Sequence, residues 1–496
     1  MKREELNKYY TNAKPVELDD ATIERLRPLV DAEGEWAGDV PLTREAAVED
    51  IECFFDLLKY CYAGYNYYAD KVDFAQAKAD VLAALPDDGI TAVQVKDALY
   101  SRLKPHINDT HFAFECGGWE SFKKSYNAYF TGLTVEECDG GYKVIRKETD
   151  EVKVGHIFTK AEVEGHLFET FPNADGTKRY LVGVLSPTKP ETLEIGGLTM
   201  PLHLCRIDTF HEPRGDGAWS WWTWYDITLI KHLNYVDSEI ELTRKAFNLD
   251  ETANEYREYG KSLAKEPVFM WSLLGNYGGN SEYPKDFIYA LNDYAVWECD
   301  CAVLSNPILD KKKEEKVSEY HVYGSQQIDH SKAKYEGKIF VLQNKGVASS
   351  GESAVSYARS VKNVYFVGSA TAGCGQFGDL RKYRLPNSGI YFVMGYKVFN
   401  MDGFEEGKGF TPDYWLDTKD AFTETADYIK AMHWDVAGED WGVQIKNHIA
   451  DYLERLLREI KDYTERVKME ETEKAALTEL CSHIRAEVEE KLGLKE

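Results

Sequence analysis

The spacing of apolar residues changes several times along the chain, and each change predicts a different type of secondary structure. In residues 1–115, apolar positions recur at the three- and four-residue intervals of amphipathic helices. Three such segments begin near Leu42, at Asp73 and at Thr91, and threonine is a favoured N-cap residue. Residues 1–115 are therefore predicted to form a helical region.

Shorter apolar runs separated by turns replace this pattern between residues 116 and 235. The turns Asp139-Gly140-Gly141 and Asp175-Gly176 are typical of β-hairpins. Residues 116–235 are predicted to form a small β-rich module with strands at 142–146, 152–158, 179–185 and 198–207. A tryptophan cluster near its end favours an interdomain packing contact over a wall for docking peptides: Trp219, Trp221, Trp222 and Trp224.

Both patterns are combined in residues 236–420, which predict an α/β domain. A helix is predicted at 250–263 and another after Ser349, and apolar, β-prone runs predict buried strands at 267–274, 338–343 and 363–367. Residues 305–335 are polar, and within them the KKKEEK run at 311–316 predicts a solvated face or loop. Residues 421–496 predict a charged helical extension, which either packs on the core or forms an oligomer seam.

The segment around Ser349 is the strongest candidate for chemistry. A buried strand, KIFVLQ, leads into a serine-containing turn, a helix, a second strand and a glycine-rich loop. A serine at a strand-to-helix turn is presented outward, beside backbone N–H groups that can hold an anion. The Ser-x-x-Glu spacing also fits a helix capping box, in which Ser349 and Glu352 only satisfy helix-end donors. The spacing alone leaves both interpretations open.

Charge and cysteine content narrow the class of protein. The formal net charge of −26 argues against nucleic acid and anionic membranes as partners. No stretch reaches the length of a membrane helix, and the N-terminal residues lack the apolar core of a secretion signal. The nine cysteines are an odd number without metal-like spacing, which fits reduced thiols. These features predict a cytoplasmic protein.

Four motifs in order carry a resemblance to a known family: ASSGE, VGSATAGCG, YRLPNSGIYF and EEGKGFTPDYW. Their order and spacing resemble the catalytic domain of the C-terminal processing (tail-specific) and tricorn-like serine peptidases. The resemblance implies a crotonase/ClpP-like spiral of ββα units. It also implies that Ser349 is the nucleophile and that the Ser350 N–H faces the oxyanion. Relatives often carry a PDZ-like module where residues 116–235 lie, although this chain shows no convincing carboxylate-binding loop.

The tricorn-like branch of the family implies the remaining catalytic residues. A Ser-His or Thr-His pair supplies its base, and this pair falls on Thr110 and His111. Its acidic helper lies three residues before the glycine of a Gly-x-x-Pro-Asp motif, which is Glu406, with Glu405 as the alternative. A carboxylate linked to the imidazole, directly or through a hydroxyl such as that of Thr110, stabilises the imidazolium formed during reaction.

Two stretches depart from the family pattern. A turn with Gly278 and Gly279 matches the family's second oxyanion donor, but Ser272 and Leu274 stand where most relatives have Asp and Arg. Cys374 stands where the C-terminal processing branch has its lysine base, and a neutral thiol is no comparable base.

These observations predict a serine peptidase that hydrolyses peptide bonds through an acyl-enzyme. The alternative is a catalytically inactive relative that binds peptides or other ligands. The expected partners are peptide or protein substrates and, in an oligomer, further copies of the chain. No metal or cofactor is implied.

Overall fold

The computed structural model describes residues 3–34, 36–209, 219–224, 227–246, 254–434, 479–480 and 482–483. For residues 219–224 and 246 it describes only the backbone. The chain divides into two compact units, Met1–Met432 and His433–Glu496. Most of the predicted C-terminal extension and the side chains of the tryptophan cluster lie outside the described residues.

In the described part of the region predicted to be helical there are six α-helices, besides a π-helical turn at Asn7–Thr11 and a 3-10 turn at Arg27–Leu29. They are α1 Arg3–Leu6, α2 Asp20–Leu26, α3 Arg44–Cys61, α4 Tyr65–Ala69, α5 Phe74–Ala84 and α6 Ala92–Leu103, with strand β1 Val16–Glu17 between the first two. The three predicted helices are confirmed as α3, α5 and α6. Each begins after a capping side chain, from Thr43, Asp73 and Thr91 respectively, that accepts a backbone N–H of the first turn.

Short strands follow the helices, as the sequence predicts. They are β2 Ala113–Phe114, β3 Glu120–Ser121, β4 Asn127–Cys138, β5 Gly141–Arg146, β6 Ile157–Phe158, β7 Leu167–Thr170, β8 Arg179–Ser186, β9 Thr192–Ile195, β10 Leu198–Pro201 and β11 His203–Leu204, with helix α7 Lys160–Val163. The order β6-β5-β4-β8-β7 makes a sheet in which β11 also pairs with β4. Two predicted strands were too long: residues 152–156 precede β6 without strand structure, and residues 198–207 divide between β10, β11 and a 3-10 turn.

A largely parallel sheet occupies the region predicted as an α/β domain, and its first two strands precede residue 236. Its strands run in the order β12 Trp219–Trp224, β13 Ile227–His232, β14 Val268–Ser272, β17 Lys338–Gln343, β18 Val364–Gly368 and β21 Tyr414–Trp415. All neighbours from β13 to β21 are parallel. The helices of this region are α8 Asp237–Ala246, α9 Glu255–Leu263, α10 Glu282–Asn292, α11 Ser350–Ala358 and α12 Ala421–Ala431. The mixed α/β class predicted from the sequence is confirmed.

A second sheet connects the N-terminal helices to this domain. It contains β15 Cys299–Ser305, β16 Val317–Tyr323, β19 Phe377–Arg384 and β20 Tyr391–Met401, together with β1, β2 and β3. β16 lies in the polar stretch at 305–335, where the sequence predicts no strand. Its pairing with β15 on one side and β1 on the other supplies the order that its side chains do not predict. Buried aromatic residues of the helices and of this sheet share one core, including Phe54, Phe114 and Phe392.

Candidate active site

Ser349 occupies a turn with an unusual backbone. It lies between β17 and the first residue of α11, with φ of 54° and ψ of −122°. Such a conformation costs a non-glycine residue on the order of 1–3 kcal/mol and persists only where the surroundings enforce it. A serine at a strained strand-to-helix turn exposes its hydroxyl beside the helix N–H groups. This backbone is the feature expected of a nucleophile turn.

Three backbone hydrogen bonds hold the turn in this conformation. The Ser349 N–H donates to the Cys374 carbonyl at 3.0 Å, and the Ala348 N–H donates to the Asn276 carbonyl at 2.9 Å. The Ala372 N–H donates to the Val347 carbonyl at 2.8 Å. The loops that follow β14 and β18 therefore both hydrogen-bond to the turn and hold its backbone in place.

The two adjacent serines differ in what their hydroxyls do. The Ser350 hydroxyl donates to the Gly279 carbonyl at 2.6 Å and accepts from the Ser281 hydroxyl at 2.9 Å. The Ser349 hydroxyl makes no hydrogen bond to another residue in the part of the chain that the structure describes. Ser349 is also the more exposed of the pair. Its hydroxyl is therefore the one available to react.

Glu352 does not cap the helix, so the capping-box interpretation is wrong. Ser349 forms no side-chain cap hydrogen bond. The buried Glu352 carboxylate instead accepts from the Thr371 hydroxyl at 2.6 Å, the Gly373 N–H at 2.7 Å and the Cys374 N–H at 2.8 Å. Glu352 thereby fixes the loop whose Cys374 carbonyl receives the Ser349 amide.

The predicted oxyanion turn packs directly against the serine turn. A side chain added at Gly278 would place its Cβ 2.8 Å from both the Ser349 Cβ and the Ser350 nitrogen. The Gly278 N–H donates to the Asn276 side chain at 3.0 Å. Ser272 and Leu274, which replace the family's Asp and Arg, are both buried at the end of β14. The turn is thus formed without those two side chains.

His111 is oriented by a backbone carbonyl. Its Nδ1 lies 2.5 Å from the Phe377 carbonyl oxygen, which can only accept, so Nδ1 carries the proton and Nε2 the lone pair. The His111 N–H donates to Asp109 at 2.8 Å. Burial lowers the pKa of His111, although the Phe377 carbonyl and Asp379 oppose this effect. The neutral imidazole required of a general base is therefore favoured.

Glu406 contacts the histidine segment through the backbone rather than through a hydroxyl. Its carboxylate accepts the Thr110 N–H at 3.1 Å, whereas the Thr110 hydroxyl donates to the Gly373 carbonyl at 3.4 Å. The other Glu406 oxygen accepts the N–H groups of Gly375 and Gln376. The route through the Thr110 hydroxyl is therefore absent from this structure. Glu405, the alternative acid, is exposed and pairs with Lys408.

Asp109 is a buried carboxylate that sequence reasoning missed. It accepts the Tyr62 hydroxyl at 2.8 Å and the N–H groups of His111 and Phe112. Burial raises its pKa to about 7, and burial together with the charge of Asp109 raises the pKa of Glu406 to about 8. Burial and mutual repulsion therefore disfavour ionisation of both carboxyl groups at once near neutral pH. The signal in the sequence was the Asp-x-His spacing of an Asx turn.

The loop at 373–377 is the common neighbour of these groups. The Cys374 carbonyl accepts a hydrogen bond from the Ser349 N–H, and the Phe377 carbonyl accepts one from His111 Nδ1. Since three residues span at most about 11 Å, the two anchoring carbonyls lie within roughly that distance. Glu352 and Glu406 bind the four consecutive N–H groups from 373 to 376. Residues from distant parts of the chain therefore meet at this loop.

Cys374 contributes to the site through its backbone. Its N–H binds Glu352 and its carbonyl receives Ser349. Burial and the nearby carboxylates of Glu406 and Glu352 raise the pKa of its thiol well above the usual range. A thiol in this environment stays protonated and is no base.

The described residues were also considered for metal ligands, disulfides and membrane-spanning helices. Within the described ranges, no group of three or more His, Cys, Asp or Glu side chains is placed to hold a metal ion. The eight cysteines of those ranges are free thiols. None of the helices that the structure describes has the length and apolar character needed to cross a membrane.

Known proteins share sequence and structural features with this chain. Residues 291–416 match the sequence model of peptidase family S41. No curated protein sequence matches the chain. Similar solved structures include mature CPAF in complex with lactacystin, with 13% identity, coverage of 79% of this chain and 98% of that chain, and a TM-score of 0.43. They also include the photosystem II D1 C-terminal processing protease, with 13% identity, 76% and 94% coverage and a TM-score of 0.33. The tricorn protease has 11% identity, 79% and 37% coverage and a TM-score of 0.37.

The family match confirms the enzyme class predicted from the sequence, a serine-type peptidase. Residues 291–416, from the end of α10 to just past β21, match peptidase family S41, and the predicted resemblance to the C-terminal processing and tricorn-like peptidases is confirmed. Ser349 and Glu406 lie inside the matched segment, whereas His111 lies outside it. The roles of individual residues therefore rest on the geometry alone.

Proposed function

We propose that the protein hydrolyses peptide bonds through an acyl-enzyme formed on Ser349. The observation that carries the proposal is the strained backbone of Ser349, with φ of 54° and ψ of −122° at the N-terminus of α11. Its support is the contrast between the free Ser349 hydroxyl and the bonded Ser350 hydroxyl.

His111 serves as the general base in this proposal. With the Nδ1 proton directed to Phe377, the Nε2 atom accepts the Ser349 proton during attack on the peptide carbonyl. Nε2 then returns that proton to the leaving amine. The acyl-serine is hydrolysed by a water molecule that His111 deprotonates in the same way.

The developing negative charge needs N–H donors close to Ser349. The Ser350 N–H belongs to the first turn of α11, whose donors lack intrahelical acceptors. It is the first donor, and a glycine N–H of the turn at Gly278 and Gly279 is the second. The Gly278 N–H already binds Asn276, so it must give up that hydrogen bond to donate to the oxyanion.

Glu406 acts in this proposal by positioning the histidine. It joins the Thr110 N–H to the loop that binds His111, and the Thr110 hydroxyl adds a contact to the same loop. Together with Asp109 it keeps negative charge near the imidazolium that forms during attack.

Labelling with a fluorophosphonate tests the proposal. We expect the wild-type protein to be modified on Ser349, Ser349→Ala to remain unlabelled and Ser350→Ala to keep its label on Ser349. If the wild-type protein stays unlabelled under conditions that label a control hydrolase, the alternative of an inactive ligand-binding relative is favoured. A label on Ser350 would contradict the assignment of the nucleophile.

We also propose a cytoplasmic location, on the basis of the free thiols of the eight described cysteines. Cell fractionation with compartment markers tests it. Recovery of the protein in an oxidising compartment, with disulfides formed, would contradict it.

A further inference from the structure

Lys345 is a cationic residue that the proposed mechanism does not use. It lies in the segment between β17 and Ser349 and is partly buried. Its ammonium group donates to the Thr371 carbonyl at 2.6 Å and to the Lys408 carbonyl at 2.9 Å. The first carbonyl belongs to the loop after β18 and the second to the loop after β20. One side chain therefore joins the two loops that carry Cys374 and Glu406.

Thr371 is the point where these contacts converge. Its hydroxyl donates to Glu352 at 2.6 Å and accepts the Phe410 N–H at 2.8 Å. Its own N–H donates to the Phe410 carbonyl at 3.0 Å. A Cβ added at Gly409 would lie 2.3 Å from the Thr371 hydroxyl oxygen. The two loops are in close contact here, with no room for a further side chain.

The charges around Lys345 explain why a cation suits this position. The charged groups that act on it are the carboxylates of Asp208 and Glu352 and the ammonium of Lys123. Burial lowers the pKa of Lys345 to about 8, an effect opposed by those two carboxylates. In return, Lys345 counteracts the rise that burial causes in the pKa of Glu352. Glu352 also lies close enough to Glu406 to raise the pKa of that carboxyl.

We propose that Lys345 is a positioning residue for the reactive serine. It fixes the loop whose Cys374 carbonyl accepts the Ser349 N–H against the loop that carries Glu406. This inference rests on the proposed function, because the property that Lys345 controls is the reactivity of Ser349.

The test compares Lys345→Met and Lys345→Arg with the wild-type protein. Lys362→Met is the matched control, since Lys362 is exposed and its ammonium donates to the Glu336 carboxylate. The rate of fluorophosphonate labelling of Ser349 is measured as a function of pH, with melting curves as the folding check. Backbone hydrogen exchange of residues 369–376 is measured on the same proteins.

In Lys345→Met we expect labelling to slow by about 10- to 100-fold, because small displacements at a reacting centre cost that much. The rate of backbone hydrogen exchange at residues 369–376 should increase. Lys345→Arg keeps the charge and donors and should recover most of the rate. Lys362→Met should behave as wild type.

Several results would overturn the inference. Labelling and exchange in Lys345→Met equal to wild type would do so, as would a loss that Lys345→Arg does not relieve. If Lys345→Met fails to fold, Lys345→Gln replaces it with the same expectations. If wild-type Ser349 does not react at all, the proposed function fails, while the exchange of residues 369–376 still decides whether Lys345 holds the loop.

Discussion

The serine turn and the histidine segment reach the same loop in different ways. The serine turn is built within one sheet, because the loops after β14, β17 and β18 bond to each other. The histidine segment arrives from the N-terminal helices, and β2 joins it to β20 through Ala113 and Phe114. One half of the site is therefore local to the parallel sheet, and the other half depends on contacts between distant parts of the chain.

Because of this difference, the two halves of the site should respond to different changes. The serine turn stores backbone strain and tolerates no added side chain at Gly278. The histidine segment has no such strain, and it depends on buried carboxylates that titrate near neutral pH. Substitutions and pH should therefore affect the two halves separately.

The largest effect is expected from removing the base. His111→Ala should slow peptide hydrolysis and labelling of Ser349 by about a thousandfold or more, as the loss of a triad base does. Rates of the purified variant are compared with wild type after circular dichroism shows that it is folded. An active, folded His111→Ala protein with an unchanged pH profile would mean that another group is the base.

A smaller but still large effect is expected at Gly278. Gly278→Ala places a Cβ 2.8 Å from Ser349 and Ser350, so labelling should fall by about 100-fold. Gly275→Ala in the same turn carries a similar positive φ of 75° but meets no atom within 4 Å, so it isolates backbone strain from the clash. Equal losses in both variants would show that strain alone, and not contact with the serine, decides the rate.

Glu406→Gln should have an intermediate effect of about tenfold. The NH2 group of the glutamine must face backbone N–H donors, because both Glu406 oxygens accept N–H groups, so at least one of these contacts is lost. Hydrolysis rates and melting temperatures are the measurements. Glu405→Gln, at the exposed neighbour, is the control and should retain the wild-type rate.

The pH dependence should report the lowered pKa of His111. Because burial favours the neutral imidazole, the acid limb of the labelling rate should lie below the ordinary value of about 6.5. The same shift has a consequence for folding: the unfolded chain binds the proton more readily, so the stability contributed by His111 is lost as pH falls below about 6.5. A limb above that value that persists in Glu406→Gln would contradict a buried neutral base, because the titration of Glu406 is then removed.

The smallest effect is expected from Cys374→Ser. The backbone of Cys374 makes the contacts to Ser349 and Glu352, and its protonated thiol performs no chemistry in this account. The hydrolysis rate should stay within a few-fold of wild type. If a folded Cys374→Ser protein loses as much activity as His111→Ala, the thiol takes part in the reaction and the Ser–His assignment must be rebuilt.

The sequence predicted the strand and helix around Ser349 better than it predicted the contacts made by the neighbouring loops. The apolar run at 338–343 coincides with β17, and the helix after Ser349 is α11, because both follow from local periodicity. Asp109 and the real partners of Glu352 were missed, since their contacts lie in loops far along the chain. β16 was missed because its order comes from pairing with β15 and β1 and not from an apolar pattern.

A crystal structure of the fluorophosphonate adduct tests the central claim most directly. The account predicts phosphorus bonded to the Ser349 oxygen, a phosphonyl oxygen directed at the Ser350 N–H, and His111 Nε2 within about 4 Å of the Ser349 oxygen. An adduct on another residue, or a His111 ring directed away from Ser349, would contradict it.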